Sequence, residues 1–237
     1  MLAATHLIGF GASAAGIAFA PTDIAGLALW LRADLGITKD GSDLVATWAD
    51  QSGNARDATE ATNQPLWVAN QANGNPIVRF DGTNDRLNTA SYSLAQPLTM
   101  FVVCKILAHN DLDGIVATGS GTGFELRMQA SPVVSIRDEG SSDGAAVNSA
   151  GSVFELYKFI LNGTSSVLAL DDGADQTSVT DFAGDWETGT FLGTWAAATA
   201  GRFGNVELAE VIQYAGAITG ANLASVKAYL NARYALW

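Results

Sequence analysis

Basic side chains, cysteine, histidine and proline are all scarce in this chain of 237 residues. Only 12 lysines and arginines stand against 24 acidic residues, and the formal net charge is −12. Nucleic-acid-binding proteins neutralise phosphates with clustered basic side chains, so this balance argues against that class of partner. The same acidity is typical of a soluble surface, and it also suits the binding of metal cations.

Cysteine and histidine are too rare to build the sites that they usually form. The single cysteine, Cys104, cannot form a disulfide within the chain, and the apolar stretch "MFVVCKI" around it predicts a buried core residue. The two histidines, His6 and His109, make a histidine-rich zinc centre and a histidine-dependent catalytic triad implausible.

Glycine, in contrast, is abundant, and the aromatic side chains require a core: the chain has 25 glycines, six tryptophans and ten phenylalanines. Turn sequences such as "DGS", "NGN" and "DGTN" separate short stretches of alternating polarity. The predicted strands are 27–32, 44–48, 76–80, 98–106, 114–119, 124–129, 133–137, 154–161, 166–171, 190–194 and 206–214. Roughly eleven strands without interleaved helices predict an all-β fold of two packed antiparallel sheets.

Alternation is clearest in two of these strands. In "FELRMQ", Phe124, Leu126 and Met128 are predicted to face the core, and the polar side chains between them face outward. In "VELAEVIQY", regular alternation predicts five side chains on one face, namely Val206, Leu208, Glu210, Ile212 and Tyr214.

One helix is predicted, in the last stretch of the sequence, "TGANLASVKAYLNARYALW". Thr219 can cap its first turn, and Arg233 lies near its C-terminal end, where the helix dipole favours a cation. Apolar side chains recur at spacings of three and four, in one stripe of Leu223, Val226, Leu230 and Tyr234. We expect this short helix to lie on the sandwich and close it.

The first 22 residues differ from the rest of the chain. No Lys, Arg, Asp or Glu occurs before Asp23, yet the stretch lacks the basic start of a signal peptide, and proline follows its plausible "AFA" cleavage site. Its flanks also argue against a membrane-inserting segment. We predict an extended N-terminal arm at residues 1–22, which packs on its own domain or on a neighbouring subunit and anchors an assembly. Residues 23–237 are predicted to form one domain.

Several motifs of this domain resemble a known family. They are the Trp-Leu-x-Ala-Asp opening of "LALWLRADLG", the stretch "WADQSGN", and the Phe-Asp-Gly-x-x-Asp pattern of "PIVRFDGTNDRL". Together with "GNVELAEVIQYAGAIT" and "VKAYLNARY", they resemble the concanavalin A-like lectin/glucanase superfamily, in its laminin-G-like branch. The resemblance covers residues 25–237 and implies a jelly-roll sandwich of two antiparallel sheets. It implies no single function, because this fold hosts lectins, hydrolases, adhesion modules and virion proteins.

Catalytic carboxylates are not evident in the sequence. The glucanases of this superfamily carry Glu-x-Asp-x-Glu on one strand, a run that this chain lacks. Glu207 and Glu210 are three apart, which predicts opposite faces of a regular strand, and Asp185 and Glu187 lie in a glycine-rich loop. We therefore predict that the chain is not an enzyme. For Glu210, on a face with apolar side chains, a structural hydrogen bond to backbone or to an arginine is predicted, and a catalytic role is the alternative.

Two acidic turns carry candidate metal ligands. They are Asp81, Asn84 and Asp85 in "VRFDGTNDRL", and Asp171, Asp172 and Asp175 in "DDGAD". Calcium binds six or more oxygen atoms, and the family resemblance implies calcium at a rim of the sandwich. The alternative is that these are turn residues whose side chains bind their own backbone. Calcium is the candidate cofactor, and no other is expected.

The stretch "WADQSGN" is a candidate contact for sugars. Trp48 is predicted to anchor the core from the end of a strand, and an exposed Trp48 that stacks on a sugar ring is the alternative. Asp50, Ser52 and Asn54 are predicted to shape the turn that follows.

The first functional hypothesis is a bacteriophage virion protein that is not an enzyme. It would decorate the capsid or form part of the tail, with a lectin-like domain that contacts host-surface glycans. Its partners would be other virion subunits in a homo-oligomer, reached through the arm, and neither nucleic acid nor a membrane. The alternative is an extracellular carbohydrate-binding module, secreted or on a surface, which depends on calcium. A degenerate glycoside hydrolase or lyase is a third hypothesis.

Overall fold

The computed structural model describes residues 19–118, 123–138, 143–195 and 202–237. Within these ranges the chain forms a short 3-10 helix at Pro21–Asp23, a series of strands and one α-helix. In chain order they are β1 (Leu27–Arg32), β2 (Ile37–Lys39), β3 (Val45–Trp48), β4 (Ala58–Thr59), β5 (Leu66–Ala72), β6 (Asn75–Asp81), β7 (Leu87–Thr89), β8 (Leu98–Ala108), β9 (Gly114–Thr118), β10 (Phe124–Met128), β11 (Val133–Asp138), β12 (Asp143–Asn148), β13 (Glu155–Leu161), β14 (Val167–Leu170), β15 (Gln176–Thr177), β16 (Thr190–Leu192), β17 (Asn205–Ala215) and α1 (Gly220–Tyr234).

These strands form two antiparallel sheets. The first, sheet A, has the order β15-β14-β13-β8-β17-β6-β5, and β1 pairs with the stretch of β17 beyond the end of β6. The second, sheet B, has the order β12-β11-β10-β9-β16-β7-β4-β3-β2. Some strands pair with their neighbours in sequence, such as β5 with β6 and β10 with β11, whereas β8 pairs with β13 and β17, and β1 pairs with β17, as expected of a jelly-roll sandwich. The predicted fold class, an all-β sandwich with one short C-terminal helix, is confirmed.

The main hydrophobic core lies between the two sheets. Phe124, Leu126 and Met128 of β10 all belong to it, so the alternation predicted for this strand is confirmed. Trp48 and Cys104 are also completely buried in this core. Burial raises the pKa of the Cys104 thiol well above its ordinary value, which keeps the thiol protonated and unreactive.

A β-bulge divides strand β17 into two stretches with opposite alternation. The pairing of β17 with β8 shifts register between Leu208 and Glu210. As a result Leu208 and Val211 both pack in the core between the sheets, whereas Ile212 packs on the outer face of sheet A. The predicted common face for residues 206 to 214 is therefore wrong, because one extra residue reverses every later side chain.

Helix α1 covers the outer face of sheet A and creates a second core. The predicted stripe is confirmed: Val226, Leu230 and Tyr234 are buried against the sheet, and Leu223 packs at the edge. Thr219 occupies the N-cap position, but its side chain makes no capping hydrogen bond. Within the described residues, no helix is long and apolar enough to span a membrane.

The described chain begins on this second core. Phe19 packs edge-on against Tyr229 of α1, with ring centroids 6.0 Å apart. Tyr214 of β17 donates a hydrogen bond of 2.9 Å from its hydroxyl to the carbonyl oxygen of Pro21. Residues 19–22 of the predicted arm thus lie against the domain. Residues 1–18 are outside the described residues, so the arm and its role in assembly stay predictions.

Candidate functional site

The turn that follows β6 uses its acidic side chains to hold its own backbone. Asp81 Oδ1 accepts hydrogen bonds from the backbone N–H groups of Thr83 (2.7 Å) and Asn84 (3.3 Å). Asp85 Oδ2 accepts one from the N–H of Asp81, at 3.0 Å. These are the contacts of an ordinary Asx-type turn.

Two carboxylates at this turn also repel each other. Partial burial and the charge of Asp81 raise the pKa of Asp85 to about 6, even though Asp85 accepts a backbone hydrogen bond. A cation would relieve that repulsion. Among the described residues, however, no group of three or more His, Cys, Asp or Glu side chains could hold a metal ion. Calcium at Asp81, Asn84 and Asp85 therefore stays a prediction.

The second acidic turn, at residues 171–175, does not form a set of ligands. Asp171 accepts a backbone hydrogen bond, Asp172 forms an ion pair with Lys227 of α1 at 3.2 Å, and Asp175 pairs with Lys158 of β13. Because each carboxylate has a different partner, the turn connects α1 and β13 to the edge of sheet A. Its candidacy as a calcium site is not supported by this geometry.

The loop after β3 is structural. Asp50 Oδ1 accepts hydrogen bonds from the backbone N–H groups of Trp30 (3.0 Å) and Ser52 (2.9 Å), and the Asn54 amide donates to backbone carbonyls of β1. Trp48, the last residue of β3, is fully buried in the core between the sheets. The predicted turn and core roles are confirmed, and Trp48 cannot stack on a ligand.

Glu210 lies beneath helix α1, fully buried on the outer face of sheet A. Its carboxylate accepts hydrogen bonds from Trp30 Nε1 (2.6 Å), the Tyr229 hydroxyl (2.9 Å) and the Tyr234 hydroxyl (2.7 Å). Burial raises the pKa of Glu210, and these hydrogen bonds oppose that rise. Glu210 thus joins β1, β17 and α1. Its hydrogen-bond donors are tryptophan and tyrosine side chains rather than the predicted backbone, and the predicted arginine is present as Arg233, whose Nε atom lies 3.5 Å from Oε2.

The bulge in β17 brings Glu207 to the same outer face as Glu210, which corrects the expectation of opposite faces. Glu207 is buried, and its Oε1 atom accepts hydrogen bonds from Nε (2.8 Å) and Nη2 of Arg79. Lys105 Nζ lies 3.5 Å from its Oε2 atom. Arg79, Glu207 and Lys105 occupy one row across β6, β17 and β8, where they are direct neighbours in register.

A pocket of about 400 Å³ opens beside this row, at the C-terminal end of α1. The five side chains that give it its chemistry come from four different parts of the chain: Gln71, Lys105, the pair Ser152 and Phe154, and Tyr234. Glu155 of β13 pairs with Cys104 of β8, which brings Phe154 beside Lys105. The Lys105 ammonium lies 5.8 Å from the centre of the half-buried Phe154 ring.

Nothing in the sequence pointed to this pocket. These five residues are separated by up to about 160 positions, and only Tyr234 belongs to one of the family motifs, "VKAYLNARY". The alternation of β8 predicts that Lys105 faces outward, and this was the one available signal. Only the sheet order and the position of α1 place these side chains around one opening.

A second charged group lies on the outer face of sheet B. Glu125 is buried there, with its Oε1 atom 3.5 Å from Arg137 Nη1 and 3.7 Å from Arg127 Nη1. Arg127 also binds Asp143 through both carboxylate oxygens, at 2.6 and 2.8 Å. Burial raises the pKa of Glu125 to about 7, although the neighbouring arginines lower it. These side chains are paired with one another.

Comparisons with known proteins support the fold. No protein-family model matches the chain, and no curated protein sequence matches it. Among solved structures, the Trypanosoma rangeli sialidase in complex with sialic acid matches with a TM-score of 0.54 at 14% identity. That match covers 96% of this chain but 36% of the sialidase, so the chain spans about a third of that enzyme.

Two other matches have higher TM-scores. Domain 4 of AbnA, a GH43 extracellular arabinanase from Geobacillus stearothermophilus in complex with arabinotriose, matches with a TM-score of 0.61 at 12% identity. It covers 82% of this chain and 94% of that domain. The HCR/D F1240A mutant also gives a TM-score of 0.61, at 10% identity, and covers 86% of this chain and 52% of that one. At such identities these likenesses show the fold alone, and none of the three is described as a virion component.

The prediction that the chain is not an enzyme is contradicted by these matches. The sialidase and the arabinanase are enzymes, and both contain a region with this fold. The prediction relied on the spacing of the acidic residues, on the scarcity of histidine and on the missing run Glu-x-Asp-x-Glu, which is a signature of a single group of hydrolases. Neither the fold nor that missing run excludes catalysis.

Proposed function

We propose that this domain binds carbohydrate in the pocket beside Lys105 and Phe154. The observation that carries the proposal is the composition of the pocket. The Phe154 ring offers an apolar wall, and Lys105, Ser152 and Gln71 offer hydrogen-bond donors and acceptors. Its volume of about 400 Å³ lies within the ordinary range for small-molecule sites. A sugar ring has apolar C–H faces and a rim of hydroxyls, so it needs that combination of surfaces.

The structural matches support this function. Domain 4 of the arabinanase, which was solved with arabinotriose, corresponds to this chain over most of both lengths. The superfamily that the motifs resemble includes carbohydrate-binding lectins among its several functions. A fold by itself does not determine a function, so the pocket and the fold support the proposal jointly.

Binding to a panel of glycans tests the proposal. We expect at least one mono- or oligosaccharide to bind, and the Phe154→Ala variant to lose about tenfold in affinity because the stacking surface is removed. Phe191→Ala is a matched control, since Phe191 is also half-buried but lies on sheet B. Titration calorimetry with the best ligand would measure both variants.

Two outcomes would overturn the proposal: no glycan binds, or Phe154→Ala binds as tightly as the parent chain. Repeating the titration with a calcium chelator tests the predicted calcium at Asp81, Asn84 and Asp85.

The virion assignment of the first hypothesis adds an assembly role to this domain. It depends on residues 1–18, which lie outside the described residues, and it stays a prediction.

A further inference from the structure

The row of charges beside the pocket contains two cations and one anion. Arg79 binds Glu207 through two nitrogen atoms, which satisfies the Oε1 atom and balances the charge of the buried carboxylate. The second cation, Lys105, is less closely held. It lies 3.5 Å from Oε2, and that oxygen accepts no hydrogen bond within the described residues.

Lys105 therefore gives the row a net positive charge, since Arg79 already balances the charge of Glu207. Its side chain is 27% exposed, whereas the side chain of Glu207 is 1% exposed. Among the described side chains that line the pocket, Lys105 is the charged one. A cation directed at an open pocket is notable on a chain whose formal net charge is −12.

We propose that the pocket selects sugars that carry a carboxylate group, such as hexuronates. This inference rests on the proposed function and concerns the same pocket. The sugar carboxylate would accept charge-assisted hydrogen bonds from the Lys105 ammonium, while the ring lies against Phe154. Ser152 and Gln71 are placed to contact the ring hydroxyls. The ligand carboxylate would also supply the close partner that Lys105 lacks at Glu207.

The test compares two ligands that differ only at one carbon, methyl glucuronide and methyl glucoside, and the corresponding galactose pair. We expect the uronate to bind about tenfold more tightly than the neutral sugar at low salt, because a charge-assisted hydrogen bond is added. The preference should shrink as the salt concentration rises, since the contact is partly exposed.

Variants at Lys105 distinguish a role in the preference for the uronate from a role in the stability of the fold. Lys105→Gln should remove the preference for the uronate over the neutral sugar, because the positive charge is lost, and Lys105→Arg should keep the preference. Lys227→Gln is the matched control, because Lys227 is a cation outside the pocket that pairs with Asp172. Melting temperatures of all variants show whether each one folds.

The outcomes distinguish the two proposals. Equal affinity for uronate and neutral sugar, or a preference that survives Lys105→Gln, would overturn the inference and leave carbohydrate binding intact. If Lys105→Gln lowers the melting temperature without changing selectivity, Lys105 serves only as a structural counter-charge to Glu207. Failure of every sugar to bind would remove the proposed function and this inference together.

Discussion

Glu125 shows how burial alters a single residue. On the outer face of sheet B, its buried carboxyl lies close to Arg127 and Arg137, yet loss of hydration raises its pKa from 4.5 to about 7. The folded state thus holds the proton more tightly than the unfolded chain does. The stability that Glu125 contributes is fully present below about pH 4.5 and is lost as the pH rises through about 7.

We predict that Glu125→Gln flattens the pH dependence of stability. Between about pH 4.5 and 7 the parent chain should lose up to roughly 3 kcal/mol of unfolding free energy that the variant keeps, since each pKa unit corresponds to about 1.4 kcal/mol. Urea unfolding at a series of pH values measures the difference. Glu187→Gln, at an exposed position, is the control. Parallel pH curves for the parent chain and Glu125→Gln would contradict the prediction.

At the scale of single residues, the sequence predicts contacts between residues that are close along the chain. It misses contacts between residues of different strands. Asp81 and Asp50 each accept a hydrogen bond from the backbone N–H two residues later. The turn-forming residue types around them predict such short-range contacts. The pKa of Glu125 and the pocket around Lys105 depend on neighbours from other strands. Their positions follow from sheet order, which no local pattern contains.

At the scale of secondary-structure elements, the end of β16 in sheet B packs unusually close to β6 in sheet A. Gly193 has a positive φ of 72°, and a Cβ atom there would lie 2.0 Å from the Phe80 ring. Glycine lets the chain pass directly across the core side chain of β6. The short stretch "FLGT" therefore holds the two sheets together at this point.

We predict that Gly193→Ala lowers the unfolding free energy by about 3 kcal/mol or more, through backbone strain and a clash with Phe80. Gly74→Ala is the matched control, because Gly74 has a similar φ of 80° but nothing within 4 Å of the added Cβ. It should lose only about 1 kcal/mol, the cost of the backbone conformation. Equal losses in urea unfolding of the two variants would contradict the clash with Phe80.

All of the predicted strands are present, with ends within about two residues, because alternation and apolar content mark them. The strands that the sequence did not predict are β2, β4, β5, β7, β12 and β15. Most are short or exposed, and sheet pairing rather than apolar content holds them in place. The bulge in β17 was also missed, since it depends on pairing with β8.

At the scale of the whole molecule, net charge and the apolar N-terminal stretch act in opposite directions on self-association. A net charge of −12 makes identical domains repel one another, so an assembly needs a strong local contact. The chain before Phe19 is apolar and lacks charged side chains. The described residues begin beside a pocket of about 560 Å³ that is lined by Phe19 and by side chains of α1, including Ala228 and Ala232.

We predict that residues 1–18 are required for self-association. The full chain should form oligomers, and a chain that begins at Phe19 should be monomeric with an unchanged fold. Light scattering coupled to size-exclusion chromatography measures both masses, and circular dichroism checks the fold. Equal masses for the two chains would remove the support for an assembly anchor.

The sequence by itself determined the net charge of the chain and its local secondary structure. Alternating strands, glycine-rich turns and one apolar helical stripe led to an antiparallel sandwich closed by α1, because these patterns act over a few residues. The tertiary structure alone decided which side chains meet. The bulge placed Glu207 and Glu210 on one face, and sheet order brought Lys105 and Phe154 around one pocket, since pairing between distant strands sets those positions.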